Sequence, residues 1–187
     1  MFRTVTSFCV LLFCLSSVSA VYASARNNSL TFETPTKYGF STKGKTVTKF
    51  DGLLISLRFP TLLGVGFDIF NAQYVEGEVA EQVTIKQEFI NVNYQLFKGF
   101  FEGQVGAGIG SAEAICNRCS VVYKVGSTNQ VFFRGQVNLR SFGVSLRSGF
   151  VNGSVIGQKE ETADGTVIHP GINVAAQYIA IGLKVGF

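Results

Sequence analysis

The sequence predicts an all-β chain: an eight-stranded antiparallel up-and-down transmembrane β-barrel after a cleaved N-terminal signal peptide. Three observations carry that expectation. An export-type leader opens the chain, apolar and polar residues alternate with period 2 through the rest, and the links between alternating stretches are short and long by turns. A length of 187 residues suits one domain, so the expected division is signal peptide over 1–25 and barrel over 26–187.

The leader carries Arg3 as its sole charge, then the apolar run from Phe8 to Leu15, then small residues. Ala23-Ser24-Ala25 fits the cleavage rule, and Val18-Ser19-Ala20 offers a second position. An uncleaved helix is the competing reading, but the apolar run falls short of the roughly 18 to 20 residues needed to span hydrocarbon. Further along, Gly, Asn, Gln, Ser or a charge breaks every apolar run, which excludes helical spans. Yet the chain is 47% hydrophobic with a mean hydropathy of +0.29, unusual for a soluble domain and natural for a barrel that shows its apolar side to lipid. The 16 basic and 12 acidic residues are scattered, so no nucleic-acid surface is expected. Membrane lipid, including anionic lipopolysaccharide, is the natural neighbour.

The strands follow in order. In the first, Leu30, Phe32, Tyr38 and Phe40 oppose Thr31, Glu33 and Lys37, and Pro35, which lacks a ladder donor, predicts a bulge or break. The second sets Leu53, Ile55, Leu57 and Phe59 against Gly52, Ser56 and Arg58; the third sets Leu63, Val65, Phe67 and Ile69 against Gly64, Gly66 and Asp68. In the fourth, Ile90, Val92, Tyr94 and Leu96 oppose Asn91, Asn93 and Gln95, and in the fifth Phe101, Val105, Ala107 and Ile109 oppose Glu102, Gln104, Gly106 and Gly108. The sixth places Val131, Phe133, Val137 and Leu139 against Gln130, Arg134, Gln136, Asn138 and Arg140; the seventh places Phe142, Val144, Leu146 and Phe150 against Gly143, Ser145, Arg147 and Gly149. The last is the clearest, with Ile179, Ile181, Leu183, Val185 and Phe187 on one face and Tyr178, Ala180, Gly182, Lys184 and Gly186 on the other. Short turns are expected near Pro60-Thr61, Lys98-Gly99 and Ser141, and longer polar links over about 41–48, 72–83, 111–129 and 153–170. Short turns at one end and long loops at the other are the architecture of outer-membrane barrels, with both chain ends on the short-turn side.

On this pattern, and above all on its terminal YIAIGLKVGF, the chain resembles the small eight-stranded outer-membrane barrels of the OmpA/OmpX type. The resemblance implies a cell outer membrane location in a Gram-negative bacterium. It also implies recognition by the barrel-assembly machinery through Ile179, Ile181, Leu183, Val185 and Phe187. Proteins on this scaffold include structural barrels, surface-interaction proteins and a few lipid A-modifying enzymes, among which fold alone does not choose.

The inner face collects Glu33, Asp68 and Glu102 with Lys37, Arg58, Arg134, Arg140, Arg147 and Lys184. Eight strands enclose a space their own side chains fill, so these charges are expected to pair across the lumen, because an unpaired buried charge is very costly. The basic excess also admits a narrow anion-preferring pore. Cys9 and Cys14 leave with the signal, and Cys116 and Cys119 remain; with no second CxxC and His169 the sole histidine, a disulfide is expected over a metal or redox site. His169 is followed by Pro170 and Gly171, so the His-x-Ser motif of lipid A deacylase barrels is absent, and no catalytic, cofactor or metal site is expected. Loop charges such as Glu76, Glu78, Glu81, Arg118, Lys124 and Asp164 are the natural contacts for a surface ligand. The expected role is structural or surface-interacting. A pore is the second reading, with a lipid A-modifying enzyme or a periplasmic lipocalin-like binder behind it.

Overall fold

A computed structural model of the protein describes residues 28–40, 45–59, 61–76, 82–116, 123, 125–139, 141–162, 165–169 and 171–187. The expected signal peptide, 1–25, lies outside these. Seven long strands follow one another: β1 (Ser29–Phe40), β2 (Lys45–Arg58), β3 (Leu63–Glu76), β4 (Gln82–Phe97), β5 (Phe101–Cys116), β6 (Gly126–Leu139) and β7 (Phe142–Val155). A separate hairpin of β8 (Gln158–Thr162) and β9 (Gly165–His169) comes next, then β10 (Ile172–Asn173), which pairs with the end of β7, and β11 (Ala176–Gly186).

Each of β1 to β6 pairs antiparallel with the next, β7 pairs with β11, and β11 returns to β1. The sheet is therefore a closed eight-stranded barrel without a free edge along its wall. Paired residues share a face, so a walk round the outside runs Leu30, Leu57, Val65, Val92, Ala107, Val131, Phe150, Gln177 and arrives back on β1 at Gly39 rather than Leu30. That stagger means the strands tilt against the barrel axis, as closure requires. At the short-turn end the chain termini meet: Asn28 N donates to Phe187 O at 3.3 Å and Phe187 N to Asn28 O at 3.1 Å.

The expected alternation is present on every strand, interrupted on β1 by a bulge, but the strands run further than expected at the long-loop end. Expected links over 72–83, 111–129 and 153–170 contain the last turns of β3, β5 and β7, the first residues of β4 and β6, and the β8–β9 hairpin. In these extensions the alternation continues with its sense reversed. Phe70, Ala72 and Tyr74 on β3, Val83, Ile85 and Phe89 on β4, Ala112 and Ala114 on β5, Val155 on β7 and Ala176 on β11 point inward and are buried, while Asn71, Gln73, Lys86, Glu88, Glu113, Asn129, Asn152 and Gln177 lie on the outside. Register joins the outer polar positions in a belt: Asp51 pairs with Asn71, Asn71 with Lys86, Lys86 with Glu113, Asn129 with Asn152. Asn71 Nδ2 donates to Asp51 Oδ1 at 2.7 Å, and Lys86 Nζ lies 2.7 Å from Glu88 Oε1. The hydrogen bond from Lys86 to Glu88 and the carboxylate's charge push the ammonium's pKa up.

Below the belt the outside is lipid-like. Phe32, Leu53, Phe67, Ile90, Ile109, Val131, Leu146, Ile181 and Leu183 are all exposed. From Ile179 to Phe187 this band is eight residue steps, which at about 3.3 Å each and a tilt of about 40° spans on the order of 20 Å of hydrocarbon.

Lys37 is not a lumen residue. On β1 Pro35 pairs with Ala180 and Lys37 with Ile179, so Thr36 is an extra residue, and beyond it the faces exchange. Lys37 is exposed outside, whereas Tyr38, expected outside, is buried within. The bulge expected at Pro35 is the physical cause.

Candidate functional site in the lumen

Two charge clusters cross the lower lumen. In the first, nearest the short turns, Glu102 on β5 is the hub: Arg58 of β2 pairs with its Oε1, Lys184 Nζ of β11 lies 2.6 Å from its Oε2, and Gln104 Nε2 and Asn138 Nδ2 donate to it at 2.7 and 3.2 Å. Lys184 also donates to Asn138 Oδ1 at 3.0 Å. Two cations and two amide donors, from four strands, therefore converge on one carboxylate that is almost wholly buried.

The second cluster is a pair of arginine–carboxylate forks. Arg134 of β6 reaches Glu33 of β1, its Nε donating to Oε1 at 2.9 Å and its Nη2 to Oε2 at 2.7 Å, and it also donates to Gln104 Oε1 and Ser56 Oγ at 3.0 and 2.8 Å. Arg147 of β7 crosses to Asp68 of β3, with Nη2 to Oδ2 at 2.5 Å and Nη1 to Oδ1 at 3.2 Å, and lies 3.6 Å from Glu33 Oε2. Bidentate forks fix both distance and orientation. Gln130 joins the set, donating to Asp68 at 2.7 Å and accepting from Arg147 and Tyr178 at 3.3 and 3.1 Å. The Arg147 guanidinium lies 3.5 Å from the centre of the Phe132 ring, a cation–π contact between two buried side chains.

Rings close the lumen above the forks. Tyr178 and Phe70 have centroids 4.8 Å apart, Phe70 and Phe89 6.0 Å, and Tyr38 stacks on Phe50 at 6.1 Å, with the Tyr38 hydroxyl donating to Gln87 Oε1 at 2.6 Å. Higher still, Tyr74, Val83, Ile85, Ala112, Ala114, Val155, Ile172 and Val174 form an apolar core. Each large aliphatic or aromatic side chain buried here contributes about 1.5–3 kcal/mol, as in a soluble barrel. The lumen is thus polar and cross-braced at membrane level and apolar above it.

Of the charges expected inside, Glu33, Arg58, Asp68, Glu102, Arg134, Arg147 and Lys184 converge in the two clusters, Lys37 does not, and Arg140 lies outside the described residues. Cys116 ends β5, while Cys119 and the loop residues Glu78, Glu81, Arg118, Lys124 and Asp164 lie outside the described residues. Ile179, Ile181, Leu183, Val185 and Phe187 share the outer face of the closing strand. The sequence did not single out Phe132, Gln87, Phe70 or Phe89 as lumen residues. Their alternation was visible, but apolar residues on both faces of one strand hide which face is inner.

The closed wall, the outer apolar band and the braced interior define a class: the chain has the all-β architecture of a small eight-stranded outer-membrane barrel. It is similar to Neisserial surface protein A, an eight-stranded outer-membrane barrel, with a TM-score of 0.59 and 12% sequence identity over 86% of this chain and 96% of that one. At that identity the likeness is one of fold. Neither a protein-family model nor a curated protein sequence matches the chain.

Proposed function

We propose that the chain is an integral protein of the Gram-negative outer membrane, delivered by its signal peptide and the barrel-assembly machinery, that acts as a closed, rigid pedestal for its surface loops. The observation that carries this reading is the reversal of polarity along the strands. The wall meets lipid below the belt and water above it, and the side chains that fill the lumen belong to the wall itself. The surface location printed in the name of Neisserial surface protein A is consistent with it. On this reading the barrel has no catalytic group and takes no cofactor. Lipid and lipopolysaccharide surround it, its partners meet the loops, and Cys116 at the end of β5 forms a disulfide with Cys119 in the third long loop.

A specific observation favours a second reading. The two clusters hold four cations, Arg58, Arg134, Arg147 and Lys184, against three carboxylates, Glu33, Asp68 and Glu102, which would suit an anion pore. Planar-bilayer recording on refolded protein separates the two. The pedestal gives a heat-modifiable band and a silent membrane, whereas unitary anion currents would establish the pore. Surface proteolysis of intact cells tests the location, since cleavage in the long loops alone is expected.

A further inference from the structure

One seam of the wall differs from the others. The ladder between β1 and β2 ends at Glu33 and Leu54, although both strands run on beyond it, each still paired on its other side: β1 with β11 as far as Phe40, and β2 with β3 as far as Lys45. Thr36 and Thr48 are extra residues in those outer ladders, and Pro35 has no N–H to give, so the two strands lose a common register where they should meet. Side chains take over. Tyr38 stacks on Phe50 across the seam on the inside, and the Thr34 hydroxyl lies 3.5 Å from Gly52 O.

That stack sets the chain neighbours of Tyr38 and Phe50 beside each other on the outside. Lys37 on β1 and Lys49 on β2 are both exposed there, and neither has a hydrogen bond or ion pair among the described residues. Asp51 lies nearby but is held on the β3 side by Asn71. A Cβ built on Gly39 would meet nothing within 4 Å, so the outer surface beyond Lys37 is bare. The rest of the belt offers no such charge: Lys86 is paired with Glu88, and Asn129, Asn152 and Gln177 are neutral. Just below the two lysines the wall is apolar and exposed at Phe32, Leu53, Ile179 and Ile181, and Ile179 is the register partner of Lys37. Positive charge therefore sits at headgroup height directly above a surface suited to acyl chains.

We infer that lipopolysaccharide binds here through a phosphate monoester of its lipid A, which bridges Lys37 and Lys49 and fastens β1 to β2 where the ladder stops. The inference rests on the outer-membrane reading, which turns the long-loop end, and with it this seam, toward the leaflet that carries lipopolysaccharide. A phosphate monoester carries about 1.5–2 negative charges, more than the diester of a phospholipid, so a pair of ammonium groups favours it. Each lysine brings a compact charge with three donors, which suits a phosphate without demanding one orientation. The acyl chains lie on Phe32, Leu53, Ile179 and Ile181.

Native mass spectrometry of the refolded barrel in neutral detergent, with diphosphorylated lipid A, phosphatidylglycerol or inorganic phosphate as the probe, tests the binding. Lipid A should be retained in preference to phosphatidylglycerol, and inorganic phosphate should not be retained. Lys37→Gln combined with Lys49→Gln should weaken retention of lipid A by about fivefold per lysine, hence about 30-fold for the pair. Arg at both positions should restore it, and Lys86→Gln should leave it unchanged. In hydrogen exchange, lipid A should slow the amides of 34–40 and 45–53 and leave those of β5 and β6 as they were. Equal retention of phosphatidylglycerol, undiminished retention by the double Gln variant, or bound lipid A without protection of the seam would each overturn the inference; the first and last are read on the unsubstituted protein. Surface proteolysis of cells depends on neither lysine, so a barrel that is exposed on cells but does not prefer lipid A refutes this inference alone, whereas one absent from the surface refutes the reading beneath it.

Discussion

Removing the Glu33 carboxylate should be the most damaging single change in the lumen, and its asymmetry with the loss of Arg134 is calculable from the contacts. Glu33 is buried, holds Arg134 through two hydrogen bonds and lies 3.6 Å from Arg147. Glu33→Leu leaves four buried cations against two carboxylates, with Arg134 retaining only the neutral acceptors Gln104 and Ser56. Breaking a buried pair by deleting one partner costs about 3–5 kcal/mol, because the other charge remains buried and uncompensated. Arg134→Met should cost less, since three cations then face three carboxylates and Glu33 keeps Arg147 as a neighbour. The double variant should be close to neutral, as when a buried ion pair is replaced by apolar side chains of similar size. Urea unfolding of the barrel in lipid vesicles, followed by the gel shift of the unheated band because the chain has no Trp, measures all three. A loss under about 1 kcal/mol for Glu33→Leu, the size expected of an exposed pair, would show that water reaches the forks and would refute the argument.

Three further outcomes are expected. Leu183→Arg, in the middle of the apolar band, should destabilise the barrel by about 2–4 kcal/mol in vesicles, whereas Gln177→Arg on the polar belt should change it by about 0–1 kcal/mol; equal effects would mean that the lipid boundary is misplaced. Lys37→Ala should leave the unfolding midpoint within about 0.5 kcal/mol of the unsubstituted protein, as at ordinary surface sites, while Lys184→Met, which strips one of the two cations from Glu102, should cost about 1–3 kcal/mol. Replacing Cys116 and Cys119 with Ser should barely move the midpoint, because so short a loop restrains little of the unfolded chain, and thiol labelling of the unreduced protein should fail; ready labelling would rule the bridge out.

Much of this fold was legible because lipid and lumen demand opposite polarity on alternate residues, and that demand is written into every strand below the belt. Ile179 to Phe187 needs no structure to be read. The extensions were harder. Asn71 to Tyr74 alternates as regularly as Leu63 to Ile69, but above the membrane the apolar residues turn inward, so the phase reverses and a reader who holds it fixed sees a polar link. Lys37 was misread for a related reason: the position of a bulge relative to Pro35 decides the face of every later residue on β1, and the sequence announces the bulge without saying which residue it inserts. The cross-lumen partners, Arg134 with Glu33 and Arg147 with Asp68, depend on the stagger of the closed barrel, which no single strand encodes.

The polar belt also fixes how the molecule floats. Moving the barrel inward along its axis by two residues of strand would push Asn71, Lys86 and Glu113 into hydrocarbon, and moving it outward would lift Phe67, Ile90 and Ile109 into water. Leaning it would do both at once on opposite sides, because polar positions mark the boundary on every face. Draught and heel are therefore both resisted by the same residues, and whatever the long loops carry is held at a constant height above the lipid, facing one way, by a hull that has no freedom to bob or roll.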